Sequence, residues 1–263
     1  SGQAFETTYE MFQGKDPRFL ASIYVPGSSL LGSTMQFQRG LILKDGSKYY
    51  AQSAPGPSYL LETYIDPETQ RKDTIFGKDG GTYTGDASKT GFNIRKFVNE
   101  NLKTEAQWDF GKTETSFPIF RLAEVYLNLA EAAVEMGKYQ TEAFEAIKKI
   151  RDRAGVVTPF AVVDVEKVRH ERQVELAFEG HRFWDMKRWR IAHLPVDQGG
   201  LNGFRGAGLH PFFDLRIRKY VFEVANDLPK RQRVFTEKNY YTKFSGNDMN
   251  SNPSLIQNPE FLN

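Results

Sequence analysis

The chain has 263 residues, 35 Lys and Arg against 33 Asp and Glu, a net charge of +2, and 14% aromatic residues. At about 150 residues per domain this is one or two domains, too rich in apolar surface to stay disordered and without the ~18-residue apolar run of a membrane-spanning helix. The near-zero net charge offers no footprint for nucleic acid or any other polyanion, and the absence of cysteine excludes disulfides, thiolate metal sites and thiol nucleophiles.

The opening stretch, SGQAFETTYEMFQGKDPRF, lacks a basic region followed by an apolar run. It does not read as a signal peptide, so a targeting segment is expected upstream or the chain is intracellular. Residues 7–12 are expected to close a helix. Residues 1–116 are rich in Gly, Ser, Thr, Asp and Tyr, with turn signals at 44–47, 54–57, 65–69, 78–81 and 84–86. They read as long loops with short strands near 40–43 and 92–97.

Composition changes near residue 117, and residues 117–192 read as a helical core. A first helix is expected over Pro118–Met136, with Arg121, Glu124, Asn128, Glu131 and Glu135 on one polar stripe and the rest of its circumference buried. Gly137 is its expected C-cap. A second helix is expected over Thr141–Arg153, ended by Gly155. The pair forms an αα-hairpin resembling one tetratricopeptide-type repeat, with Ala130 and Ala132 at close-packing positions. A single repeat leaves a face uncovered and needs a neighbour. Asp164 is an expected N-cap for a third helix, and after Gly180 a fourth runs to about Ala192. Residues 193–263 return to loops, with a strand pair expected around Arg216–Glu223 and a docked C-terminal tail. The fold class read here is mainly α: tetratricopeptide-like hairpins with long loops and a few short strands.

The segment ERQVELAFEGHRFWDMKRW (171–189) places Arg172, Glu175, Glu179, Arg182 and Asp185 at three- and four-residue spacing. A pair of catalytic carboxylates is one reading. A structural ion network is the stronger one, because each acid has an arginine one turn away and such pairing lowers the pKa that a general acid needs raised. At least one of Trp184 and Trp189 is expected in the core. His170-Glu171 fails as HExxH because position 174 is Val. No cofactor fingerprint or nucleophile elbow occurs. The Asp-containing turns at 44–47 and 247–250 lack the alternating ligands of a calcium loop, so neither cofactor nor metal is expected.

Five stretches, KDPRF (15–19), TGFNIRKF (90–97), PIFRLAEVYLNLAEAAVEMG (118–137), AIKKIRDRAGV (146–156) and ERQVELAFEGHRFWDMKRW, followed by LIQNPEFLN (255–263), resemble in order the SusD/RagB family of nutrient-binding outer-membrane lipoproteins. Gln173 stands where the family has Arg. Lys243-Phe244-Ser245-Gly246 replaces its Pro-Ile-Pro, and Glu260-Phe261 its Gly-Tyr. The resemblance implies that residues 1–263 form the C-terminal half of a partial SusD-like α/α superhelix, completed by an absent N-terminal half that carries the lipid anchor and signal peptide. It further implies non-catalytic capture of glycan or other nutrient oligomers at the cell surface, for delivery to a SusC-like TonB-dependent transporter.

Ligand residues are read from physics instead. Sugar rings stack their C–H faces on aromatic rings and need polar partners at the rim. Tyr49, Tyr50, Tyr59, Tyr64, Tyr83 and Trp108 lie in turn-rich sequence with Gln52, Asp66, Arg71, Asp73 and Asp86, and at least one of the six is expected to stack on ligand. The alternatives are a helical-repeat scaffold that binds protein alone, and a glycoside-acting enzyme using acids in the 62–86 loops.

Overall fold

The computed structural model describes residues 2–50, 63–79, 88–102, 115–225 and 232–261. Tyr59, Tyr83, Trp108, Gln52 and Asp86 lie outside the described residues. The loop-rich part holds β1 (Ala4–Phe5), α1 (Pro17–Ser22), β2 (Ile23–Tyr24), β3 (Ser29–Leu30), β4 (Ser33–Thr34) and β5 (Gly40–Ile42). It continues with β6 (Lys48–Tyr49), β7 (Thr63–Ile65), β8 (Lys72–Thr74) and β9 (Asn93–Ile94). Four helices follow: α2 (Leu122–Glu135), α3 (Gln140–Arg153), α4 (Val165–Glu175) and α5 (His181–Arg188). The chain ends with β10 (Gly208–Asp214), β11 (Lys219–Ala225) and α6 (Gly246–Ser251). Residues 10–12 form a short 3-10 turn.

The chain divides into two compact units. The first comprises Ser1–Glu179 and Ala207–Leu228, the second Gly180–Gly206 and Pro229–Asn263. In the first unit, α2 packs on α3 and α4 through Ala123, Leu127, Ala130, Ala133, Ala146, Ile147, Ile150 and Val168. Ala130 has no exposed surface, so a larger side chain there meets the hairpin interface, whereas Ala132 is exposed and has room. Gly137 (φ 62°) and Gly155 (φ 69°) end α2 and α3 in left-handed backbone. The amides of Lys138 and Val156 reach back to the carbonyls of Ala133 and Arg151, which closes both ends as Schellman motifs.

A five-stranded sheet, in the order β1-β11-β10-β5-β6, lies in the same unit. The β10–β5 pair is parallel and its other pairs are antiparallel. The expected strand pair exists with a shifted centre. Leu215–Arg218 is the connection, with Asp214 accepting from the Arg216 amide at 2.9 Å, and the strands run on either side of it.

α2 differs from the sequence expectation in two ways. It begins at Leu122, because Arg121 is extended (φ −149°) and its guanidinium turns toward α4. Its polar stripe also borders the buried face, while Asn128 and Glu135 stay exposed. Glu131 is buried and Asn128 accepts from Arg172, while Leu122, Val125, Leu129 and Met136 are exposed. A charged partner on α4 draws one edge of the stripe toward it and leaves a second apolar face open.

In the second unit, Met186, Ala192 and Phe235 form a small core. Neither Trp184 nor Trp189 joins it. Trp184 is 65% exposed and Trp189 is half-buried beneath the guanidiniums of Arg182 and Arg188. The tail is held by polar bonds as well as by its half-buried Leu255 and Phe261, the latter under Lys238. The Gln257 side chain exchanges bonds with the Phe244 backbone and Asn258 donates to the Thr242 carbonyl, while Ile256 stays exposed. Among the described residues no helix is long and apolar enough to cross a membrane.

Candidate functional site

Three carboxylates, Glu171, Glu175 and Glu179, are buried at four-residue intervals along α4 and the turn after it. Isolated, each would carry a large desolvation cost. Arg18 meets Glu171 at 2.5 Å and Glu175 at 3.1 Å, with Asp16 on its other side at 2.8 Å. Arg151 meets Glu171 at 2.7 Å, and Arg153 meets Glu175 at 2.7 Å. Arg121 bridges Glu175 and Glu179, both at 2.7 Å, and donates to the Glu175 carbonyl at 2.8 Å. Lys96 meets Glu179 at 2.5 Å and donates to the carbonyls of Glu175 and Ala177.

Local chemistry places each cation. Asp16 caps α1, with Pro17 in its first turn, and thereby fixes Arg18. Both oxygens of all three glutamates are engaged, so none is presented to a substrate. Burial pushes the Glu179 carboxyl up, but its bonds to Arg121 and Lys96 outweigh that and hold it below the ordinary range. Arg172 donates to Asn128 at 2.8 Å and lies 3.5 Å from Glu124. Of the remaining residues of the expected network, Arg182 and Asp185 belong to the second unit. There Asp185 is buried beside Arg188 at 3.2 Å.

The sequence spacing points to pairing along one helix face. The partners that surround the glutamates come instead from residues 18, 96, 121, 151 and 153. The signal for them lies in the landmark stretches: KDPRF, TGFNIRKF, PIFR and IRDR each contribute cations to this cluster.

Because the folded-state pKa of Glu179 is depressed, the unfolded chain binds more protons as its own carboxyl titrates, and stability rises with pH there. Glu179 contributes in full above the ordinary value of 4.5 and its contribution is lost as pH falls through the folded-state value. Asp66, held at about 2 by the Thr69 amide and by Lys44, acts in the same direction. The melting temperature is expected to hold from neutral pH to about pH 5 and then fall. Glu179→Gln should flatten the drop, and circular dichroism across this range checks it.

The described aromatic candidates sit at the edge of the sheet core. Tyr49 and Tyr64 are half-buried, 5.5 Å apart, and pack with Leu43 and Phe213 on Leu41, Ile75, Phe76 and Leu215. Tyr50 sets its ring edge-on to Phe212 at 5.8 Å, under Arg39. Their expected polar partners are engaged too. Asp73 takes a bidentate pair from Arg218 at 2.7 and 2.8 Å and lies 3.8 Å from Arg71. Asp66 caps its own turn and meets Lys44.

A cleft of about 590 Å³ opens elsewhere in the first unit, lined by Glu6, Thr7, Tyr9, Gln36, Gln38, Thr74 and Tyr220 among others. Gln38 is pinned by bonds to the carbonyls of Thr74 and Ile75 at 2.8 and 3.0 Å. Gly77 lets the Gln36 backbone approach, since a Cβ there would lie 2.0 Å from the Gln36 carbonyl oxygen. Two rings beside hydroxyl and amide groups make a surface of the kind that receives a polyhydroxylated ligand. These residues are scattered from position 6 to 220, and no local pattern marks them. Among the described residues no group of three or more His, Asp or Glu is placed to hold a metal ion. Asp45 and Asp248, in the two Asp-containing turns, accept from Ser47 and Ser245.

The sequence profile of the SusD family matches residues 1–261. Two curated proteins of Formosa agariphila are similar over shorter stretches. SusD-like protein P2 is 31% identical over 34% of this chain and 20% of its own length, and SusD-like protein P25 is 39% identical over 28% and 15%. A crystal structure of a SusD-like carbohydrate binding protein from Bacteroides fragilis aligns with 71% of this chain and 31% of its own, at 27% identity and a TM-score of 0.47. Surface glycan-binding protein A from Bacteroides uniformis aligns with 96% and 40%, at 19% identity and a TM-score of 0.49. The chain thus matches well under half the length of each of these proteins.

Proposed function

The chain belongs to the SusD family, and on that premise we propose that it captures glycan without chemically altering it, as part of a cell-surface nutrient-uptake system. The family match over residues 1–261 carries the reading. Two features support it. The buried glutamates have both oxygens engaged, and the described acids of the 62–86 region, including Asp66, Asp73 and Asp79, are tied to cations or backbone amides. The cleft bounded by Tyr9 and Tyr220 offers rings and polar groups of the kind sugars require.

Delivery to a TonB-dependent transporter and attachment to the outer membrane as a lipoprotein belong to the same proposal. So does tetratricopeptide-like stacking, in which further chain of the full-length protein covers the apolar face at Leu122, Val125, Leu129 and Met136.

Calorimetry with a panel of oligosaccharides, followed by chromatography of the same mixtures, tests the reading. Binding with unchanged sugars is expected. Tyr9→Ala, Tyr220→Ala and, outside the described residues, alanine at Tyr59, Tyr83 or Trp108 are expected to weaken it. Effects within about twofold, or ~0.4 kcal/mol, at all five positions would place the site elsewhere. Shortened products would make the chain an enzyme. Affinity for a transporter but for no sugar would make it a protein-binding scaffold.

A further inference from the structure

The net charge of +2 conceals a segregation. The second unit carries ten Lys and Arg against five Asp and Glu, a net charge of +5, which leaves the first unit at −3. Cations of both units rest on aromatic rings, as Arg39 does on Tyr50 and Arg151 on Phe160 in the first. The buried cations of the first unit also answer carboxylates, whereas two ring-bound cations of the second do not. The Lys187 ammonium lies 5.5 Å from the Phe183 ring centre and 5.6 Å from that of Trp184. The Arg190 guanidinium lies 4.7 Å from Tyr240 and 5.3 Å from Tyr241.

Neither Lys187 nor Arg190 has a carboxylate partner among the described residues. The rings beneath them form one row. Trp184 meets Phe183 at 5.3 Å, Phe183 meets Phe235 at 6.3 Å, and Phe235 meets Tyr240 at 5.1 Å. The far end is pinned by His193, whose ring nitrogen lies 2.8 Å from the Tyr240 hydroxyl. Arg190 leaves α5 in left-handed backbone (φ 57°) and sends its side chain onto the two tyrosines.

We propose that the exposed ends of this row, Trp184 with Lys187 and Tyr241 with Arg190, joined through the buried Phe235, form a binding surface for an anionic polysaccharide, one bearing carboxylate or sulfate groups. The proposal rests on the glycan-binding reading and narrows its ligand class. Trp184, 65% exposed with Lys187 over its ring, sets an aromatic surface and a cation side by side for a charged sugar ring. Lys187 and Arg190 stand at the two ends of the row, oriented by the rings yet not neutralised; Arg190 gives one donor to the Tyr241 hydroxyl, and a cation in that state keeps its remaining donors for an incoming anion. A lipid surface fits less well. The rings are overlain by cations instead of forming an apolar face to insert, and α5 is a single eight-residue helix.

Calorimetry of the purified chain with polygalacturonate, dextran sulfate and neutral dextran tests the proposal, with anionic phosphatidylglycerol vesicles and duplex DNA as controls for charge alone. One or both acidic polysaccharides should bind, and binding should weaken about tenfold or more between roughly 50 and 500 mM salt. The double variant Lys187→Gln/Arg190→Gln should lose about tenfold in affinity, or ~1.4 kcal/mol. Arg190→Lys should retain most of it, and Lys148→Gln, on the first unit, should change nothing. Circular dichroism confirms that each variant is folded. Undiminished binding by the folded double variant overturns the proposal, as does equal affinity for neutral dextran, vesicles or DNA. Binding of neutral glycan alone would overturn this inference and leave the glycan-binding reading intact. Binding of no glycan of either kind would overturn both.

Discussion

Replacing Glu175 with alanine is expected to cost roughly 3–5 kcal/mol of stability. Its carboxylate accepts from Arg18, Arg121 and Arg153, and its side chain is 1% exposed. Removing it leaves Arg18 to Asp16 and Glu171, and Arg121 to Glu179, and takes from a largely buried cluster of cations the carboxylate that three of them share. Arg153, largely exposed, can turn to solvent and adds little. Glu175→Gln keeps the shape and removes the charge, so it should recover only a small part of the loss. Removing a cation as well should be less than additive, since Arg18→Met in the Glu175→Ala background takes away one of the cations left in excess. Urea unfolding of the single and double variants measures this. A loss under about 1 kcal/mol for Glu175→Ala would show the cluster to be an ornament of a fold held elsewhere.

Leu127→Ala should cost about 2–5 kcal/mol. Leu127 has no exposed surface and sits among Ala123, Ala130, Ile147 and Ile150, where α2 meets α3. Its neighbours are themselves small or branched and stand on helices tied by the ion cluster, so the cavity cannot collapse cheaply. The neighbouring exposed Leu129 supplies the contrast: alanine there should change stability by less than about 0.5 kcal/mol in this chain. Equal effects at the two positions would contradict the orientation of α2.

Sequence periodicity locates the helices because their alanines and leucines repeat at helical spacing, and Gly137, Gly155 and Asp164 mark ends whose capping is local. Local chemistry is legible for that reason. The rotation of α2, which leaves Leu122, Val125, Leu129 and Met136 exposed, is not, because periodicity shows that a helix has two faces and does not say which one meets a partner. Here a charged partner on α4 draws one edge of the polar stripe, Glu124 and Glu131, against the buried alanines and Leu127. The sheet is hard to read for a similar reason. Its strands are short, and β5 pairs with β10 across 172 residues at Gly40–Phe212, which no local pattern announces. The cleft is assembled from positions 6 to 220 and leaves no motif at all. Tyr49, Tyr50 and Tyr64 share turn-rich sequence with the rest of their set, yet composition alone does not separate a ring that seals a core from one that awaits a ligand.

The ion cluster also bears on how the chain can be divided. Composition places a seam near residue 117, and a cut there would part the helices from the loop-rich sequence before them. Glu171 and Glu179 would then lose Arg18 and Lys96, whose bonds reach back 153 residues in the first case. The complementary fragment would hold Lys96 without its glutamate and Arg18 with Asp16 alone. Neither piece is self-sufficient, and mixing the two would have to restore the bridges against the entropy of bringing separate chains together. The chain is therefore modular in appearance and indivisible in electrostatics: a nick in an exposed loop leaves the cluster able to hold the pieces in place, whereas removal of residues 15–19, a short stretch far from the helices in sequence, would undo the helical core from a distance.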